Sequence, residues 1–226
     1  MSQTVEMHII ARIRSDFPTK FGIPRQSGLA DVPARIVFEP EYRNADALRG
    51  IEGFSHLWLI WQFSAAVREG WSPTVRPPKL GGNKRIGVFA TRSPFRPNEI
   101  GLSSVRLDRV ELNTPDGPVL HISGADLMDG TPIFDIKPYL AYTDSHPEAR
   151  GGFALTTDAV RVDCPAQLLE KLPQERRQTL LNALAQDPRP GYQHEPGRVY
   201  GFPFAGFEVK FTVEGDLLTV RQIESR

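Results

Sequence analysis

The chain has 226 residues, 40% of them hydrophobic and 24% charged, and its 27 basic and 27 acidic side chains cancel to a formal net charge of zero. Such usage excludes wholesale disorder and fibrous repeats, and the length is enough to bury a real core. One cysteine excludes an internal disulfide, no apolar run is long enough to cross a bilayer, and "MSQTVEMHIIARIRSDF" lacks the regions of a secretion leader, so a cytoplasmic protein is expected.

In chain order, "EMHIIARIR" and "RIVFEP" read as strands, and "EYRNADALRG" as a short helix stopped by Gly50. "FSHLWLIWQF" is too continuously apolar for a half-exposed strand and is expected to be buried on both faces. "RIGVFAT", "SSVRLDRVEL" and "VLHISGADL" add three strands bounded by Gly, Pro, Asn or Asp. Short strands with few intervening helices favour a closed or half-closed small β-barrel over a doubly wound sheet. "SHPEARGG" reads as a hinge, so the expected organisation is a barrel over residues 1–145 and a smaller α+β domain over 146–226. In the second unit, "LPQERRQTLLNALAQDPRP" predicts a helix that starts near Pro173, has Leu180, Leu181 and Leu184 on one face, and stops before Pro188. "RVYGF", "FEVKFTV" and "LLTVRQI" follow as strands, the last two joined at Gly215. The fold class is therefore mainly β with an α+β appendage.

Charge is uneven along the chain. Residues 68–109 hold nine basic side chains against three acidic ones, the asymmetry expected of a face that meets a polyanion, or equally of a solvated basic surface. Within it, "TRSPFRPNEIG" sets Arg92, Arg96 and Asn98 among prolines that stiffen the loop and aim the guanidinium groups at an anion; pairing with Glu99 or Asp135 is the alternative. "DLMDGTPIFDIKPYL" gathers Asp126, Asp129, Asp135, Lys137 and Tyr139, where Asp126 and Asp129 also suit turn caps and the last three alternate along a strand. "PRQSGL" holds Arg25 and Gln26 in a loop, and "QDPRPGY" locks Arg189 between prolines with Tyr192 beyond, suited to a base and its phosphate or simply to stopping a helix. Glycine-rich nucleotide fingerprints, serine-nucleophile elbows and metal-ligand spacings are missing, so neither a Rossmann or P-loop fold nor a metal is expected. Cys164 has no histidine nearby and reads as a small buried side chain.

Five blocks, "KFGIPRQSGL", "RGIEGFSHLWLIW", "VRPPKLGGNKRIGVFATRSPFRPNEIGLSSVRL", "DLMDGTPIFDIKPYL" and "AQDPRPGY", make nearly the whole chain resemble the TsaA/TrmO-type family. These are bacterial proteins that methylate N6 of threonylcarbamoyl-adenosine in tRNA. The resemblance implies a small barrel that binds S-adenosylmethionine, a homodimer, and a tRNA anticodon loop as partner, with neither metal nor membrane. It implies a cofactor site at Pro24, Arg25, Gln26, His56, Leu57, Arg92, Leu102 and the turn Asp126, Leu127, Met128 and Asp129. A histidine within "FSHLWLIW" has a core role as its alternative. From residue type alone, Asp135 is the candidate base with Lys137 and Tyr139 beside it, and Arg96, Asn98, Arg189 and Tyr192 are candidate contacts to the RNA. Two other readings stand beside this one: a non-catalytic RNA-binding barrel, and a methyltransferase of the same fold acting on a different substrate.

Overall fold

The computed structural model describes residues 3–67, 69–77, 80, 83–154, 159–189, 195 and 197–226. Its first part runs β1 (Ala11–Arg14), β2 (Pro33–Phe38), β3 (His56–Gln62), a short ribbon of β4 (Thr74–Val75) and β5 (Ile86–Gly87), then β6 (Ile100–Glu111), β7 (Val119–Ser123) and β8 (Pro132–Pro138). Six of these strands close an antiparallel barrel in the order β1-β2-β7-β6-β3-β8. Closure leaves no unpaired edge, and alternate side chains fill the interior: Ile13, Ile36, Leu57, Leu59, Ile122 and Ile133 are fully buried.

β3 lies between β6 and β8. Leu57, Leu59 and Trp61 point into the core, whereas Trp58 and Ile60 stay partly exposed on the outer face. The expected burial on both faces is therefore corrected: the apolar run serves one face of a barrel strand and one outer surface. In place of one helix, "EYRNADALRG" falls in the 3-10 turns Pro40–Tyr42 and Ala45–Leu48, and a third, Ile51–Gly53, follows it. The Asn44 side chain accepts from the Asp46 N–H and restarts the chain there. "RIGVFAT" contributes only β5, paired with β4 outside the barrel. At Val88 the chain turns instead, because the Val88 carbonyl is captured by both the N–H and the hydroxyl of Thr91.

α1 (Ala141–Asp144) follows the barrel, and then come β9 (Arg161–Asp163), α2 (Ala166–Leu169), α3 (Gln174–Ala185), β10 (Tyr200–Phe204), β11 (Phe207–Glu214) and β12 (Leu217–Ser225). β10, β11 and β12 form an antiparallel meander, and β9, not foreseen from sequence, adds in parallel to β12. α3 buries Leu180, Ala183 and Leu184 against this sheet, while Leu181 is only partly covered.

The two parts share a core. The connection between β1 and β2 leaves the barrel, and Phe17, Ala30 and Val32 join the cluster built on Phe202, Phe204 and Phe211. Gly22 approaches Phe202 so closely that a Cβ would lie 2.3 Å from its ring, at a φ of +94° that itself favours glycine. Asp16 forms an ion pair with Arg176 of α3 at 2.9 Å, and its carbonyl accepts from the Ala205 N–H.

A second close approach shapes the barrel end. Gly101 of β6 stands opposite Trp61 of β3, whose ring covers the space where a Cβ would fall, 2.3 Å away. Gly101→Ala is expected to force the indole out of place and to lower stability by about 1–3 kcal/mol, read as a drop of several degrees in the melting temperature. An unchanged melting temperature would show that the ring shifts freely.

Candidate functional site

A cavity of about 590 Å³ opens where the β1–β2 connection, the end of β3, the loop before β6 and the loop before β8 meet. Pro24, Arg25 and Gln26 form one wall. Trp61, Phe63 and Phe95 supply aromatic surface, Asp126 a polar corner beside Met128, and Pro188 and Arg189 of the C-terminal part the remaining side. Strand register explains the aromatic wall: Trp61 points inward at the barrel end, and Phe63, one step beyond β3, meets its edge at 4.3 Å between centroids.

Asp126 is the electrostatic centre of this cavity. The Trp61 Nε1–H donates to Ser103 Oγ at 2.9 Å, and the Ser103 hydroxyl donates to Asp126 Oδ1 at 2.6 Å. Burial pushes the Asp126 carboxyl above its ordinary pKa, opposed only in part by the Ser103 hydroxyl, backbone N–H groups including that of Ser27, and the charge of Arg92. Arg92 donates to Gln26 Oε1, and Gln26 Nε2 donates to the Arg25 carbonyl at 2.6 Å. One polar chain thus joins the basic loop, the 24–26 segment and the buried carboxylate.

Of the remaining cofactor candidates, Leu57 and Leu127 have their side chains in the barrel core. Asp129 turns its carboxylate to the end of β1, accepting the Ser15 N–H at 3.0 Å with Arg14 at 4.0 Å. Leu102 is 56% exposed on the outer barrel face, opposite Ile60. His56 is exposed and lines a different cavity of about 850 Å³ with Trp58, Tyr139, Arg106 and Asp144. Neither a core histidine nor a neighbour of Pro24, it begins β3 with its Nδ1 3.0 Å from the Ser55 hydroxyl.

Asp135, Lys137 and Tyr139 share the outer face. Asp135 stands opposite Ile60 and Lys137 opposite Trp58, the two ion-paired at 2.8 Å, and the Tyr139 ring lies 5.5 Å from that of Trp58. They do not line the smaller cavity. Arg96 turns its guanidinium inward to the Thr91 carbonyl at 2.7 Å and lies over the Phe89 ring, so it stiffens its own loop; Asn98 is exposed. Neither Arg92 nor Arg96 pairs with Glu99 or Asp135 among the described residues. Arg189 departs from the expected phosphate grip: its fork closes on Asp187 at 2.9 Å through both Nε and Nη2, with only 9% of the side chain exposed. Tyr192 lies outside the described residues.

Sequence reasoning missed Trp61, Phe63, the small residues Ser64, Ala65 and Ala66, and Phe95. Their signal was positional: an inward-facing aromatic at a strand end followed by a run of small residues leaves room beside the barrel mouth. Among the described residues no group of three His, Cys, Asp or Glu side chains could hold a metal ion, and no helix is long and apolar enough to cross a membrane.

Comparison with known proteins assigns both parts. Residues 12–145 match the model of the tRNA-methyltransferase O N-terminal domain, and residues 157–226 match the TrmO C-terminal domain. A tRNA (adenine(37)-N6)-methyltransferase of Escherichia coli is 42% identical over 228 residues, covering 96% of this chain and 97% of that protein. One of the same description from Eikenella corrodens is 44% identical over 172 residues, 75% of this chain and 97% of the relative. The crystal structure of TrmO from Pseudomonas aeruginosa superposes with a TM-score of 0.77 at 34% identity, over 99% of this chain and 100% of that one.

The buried carboxylate has a pH signature. Its folded-state pKa lies above the unfolded one, so the stability it contributes is fully present below the ordinary carboxylate pKa and is lost as pH rises through the folded value. Asp126→Asn, which cannot ionise, is therefore expected to melt above the wild type near pH 7, with the gap closing as the pH falls into the carboxylate range. Thermal melts across a pH series check this, and a pH-independent gap would contradict it.

Proposed function

The chain belongs to the tRNA-methyltransferase O family, and from that premise we propose how its two clusters of site residues divide the work of an S-adenosylmethionine-dependent tRNA (adenine(37)-N6)-methyltransferase. The cavity at Pro24–Gln26 and Asp126 is the cofactor site in this reading. Its volume of about 590 Å³ lies within the range of about 300–1,000 Å³ usual for small-molecule sites. Its chemistry also fits: aromatic and proline surfaces suit an adenosyl group, and a desolvated carboxylate suits a ligand with two positive centres. That carboxylate is the single observation that carries the assignment, because a cationic guest relieves the cost of burying it.

S-adenosylmethionine, when bound, supplies a methyl group already made electrophilic by its sulfonium. The protein's tasks are to orient donor and acceptor and to exclude water. Trp61, Phe63 and Phe95 wall the cavity against solvent, and the Arg92–Gln26 bond fixes the loop above it. The acceptor nitrogen gives up a proton as it gains the methyl group, and Asp135, oriented by Lys137, is the proposed acceptor of that proton. The substrate is proposed to be adenosine 37 bearing a threonylcarbamoyl group, approached along the loop that carries Arg85, Arg92 and Arg96 with the exposed rings of Trp71 and Phe89.

Asp135, Lys137, Tyr139 and Leu102 lie on the outer barrel face, apart from the cavity. We infer a homodimer in which this face of one copy covers the cavity mouth of the other, so that each site draws the Pro24–Gln26 wall and the Asp126 carboxylate from one chain and the outer-face set from its partner. Exposed Leu102 and Ile100 supply the apolar contact. Localisation in the cytoplasm, where tRNA is modified, accompanies this reading.

Two experiments test it. Incubated with S-adenosylmethionine, the protein is expected to add one methyl group to tRNA carrying threonylcarbamoyl-adenosine, and to act orders of magnitude more slowly on the same tRNA with plain adenosine; nucleoside mass spectrometry after digestion is the readout. Equal rates would remove the carbamoyl group from the recognition. Leu102→Glu is expected to run as a monomer in light-scattering chromatography. Mixing inactive Asp126→Asn and Asp135→Asn chains is expected to restore up to roughly a quarter of wild-type activity, as statistical exchange in a twofold dimer gives one intact site per mixed pair. No recovery would place both residues in one chain's site.

A further inference from the structure

Arg25 ties the wall of the proposed cofactor site to the C-terminal part. Arg25 Nη2 donates to the carbonyl of Asp187 at 2.8 Å and to that of Arg189 at 2.7 Å. Both carbonyls belong to the turn that follows α3. The turn is itself locked. Asp187 adopts a φ of +47°, rare for a residue other than glycine, and its carboxylate takes the two-pronged bond from Arg189 as well as the Arg189 backbone N–H at 3.3 Å. Burial works against the Asp187 charge, but the Arg189 contacts and the Arg25 charge outweigh it and hold the carboxyl below its ordinary range. Upstream, Leu180, Ala183 and Leu184 anchor the helix in the C-terminal core.

From Arg25 the connection continues in both directions. The Arg25 carbonyl accepts from Gln26, which accepts from Arg92, and two residues on the Ser27 N–H reaches Asp126. Pro188 and Arg189 themselves line the cavity. Resting on the cofactor reading above, we propose that the Asp187–Arg189 turn is a positioning device for methyl-donor binding: Asp187, through the Arg189 fork, fixes the two carbonyls that hold Arg25, and Arg25 holds the wall of the cavity. The C-terminal domain thereby sets cofactor affinity, a role distinct from gripping RNA with Arg189.

The test uses the full chain. Asp187→Gly tolerates the left-handed backbone and removes the carboxylate, Asp187→Asn keeps the shape and loses the charge, and Arg25→Met removes the donor. Binding of S-adenosylmethionine and S-adenosylhomocysteine is measured by calorimetry, and KM for each substrate by steady-state methylation. Asp187→Gly and Arg25→Met are each expected to raise the cofactor Kd and KM about tenfold with KM for tRNA unchanged. Asp187→Asn should fall between them and the wild type, and the double variant should bind no worse than the weaker single, since both act through one contact. Wild-type cofactor affinity in folded Asp187→Gly, additive losses in the double variant, or a rise confined to KM for tRNA would each overturn the proposal. Failure of the wild type to bind either compound would instead overturn the cofactor reading on which it rests.

Discussion

The packing of the β1–β2 connection into the C-terminal core governs this molecule. Phe17, Ala30 and Val32 belong to the barrel by chain order and to the second core by burial, and Phe21 and Ile23 pack beside them. Removing Phe17 and Val32 from water is worth about 1.5–3 kcal/mol each, which opposes the entropy of ordering the connection. What lies between those anchors, Pro24 to Gln26, is held at both ends and offered to the barrel mouth. A loop on the barrel alone would lack that rigidity, and the cavity would lack its wall.

On the cofactor reading proposed above, the cavity needs no phosphate-cradling glycine-rich turn. Such turns cradle phosphate on helix N-termini, and S-adenosylmethionine has no phosphate. Its charge is positive at the reacting centre, which calls for carboxylate and aromatic surface. The barrel offers both at one end: strand register turns Trp61 inward, Gly101 makes room for its ring, and the Trp61–Ser103–Asp126 relay fixes the carboxylate. A buried anion costs stability in the empty protein and, on that reading, is useful when a cation arrives, so the proposed site and the scaffold oppose one another at Asp126.

Much of the fold was legible in the residues because the barrel strands are short, alternating and bounded by turn formers, and the C-terminal meander has the same grammar. Where local signals compete, it was not. "RIGVFAT" has strand composition, yet a threonine three residues after Val88 closes a turn first, and "EYRNADALRG" has helical composition broken by Asn44. β9 escaped notice because three residues paired in parallel with a distant strand leave no periodic trace. At the site, "PRQ" and "DLMD" stood out by residue type, but the aromatic wall depends on which side of a strand end faces inward. Arg189 illustrates a further limit. A guanidinium between prolines looks free until the backbone two residues earlier is seen to turn left-handed and aim a carboxylate at it.

The shared core also bears on how the chain is made. Phe17 to Val32 leave the ribosome well before β10 to β12, which cover them. At about 5–20 residues per second the interval between Val32 and Ile223 is roughly ten to forty seconds. The barrel strands can pair during that time, but the aromatic segment between the first two has no burial partner. For that period the nascent chain exposes an apolar stretch that is covered only once β10 to β12 have been made.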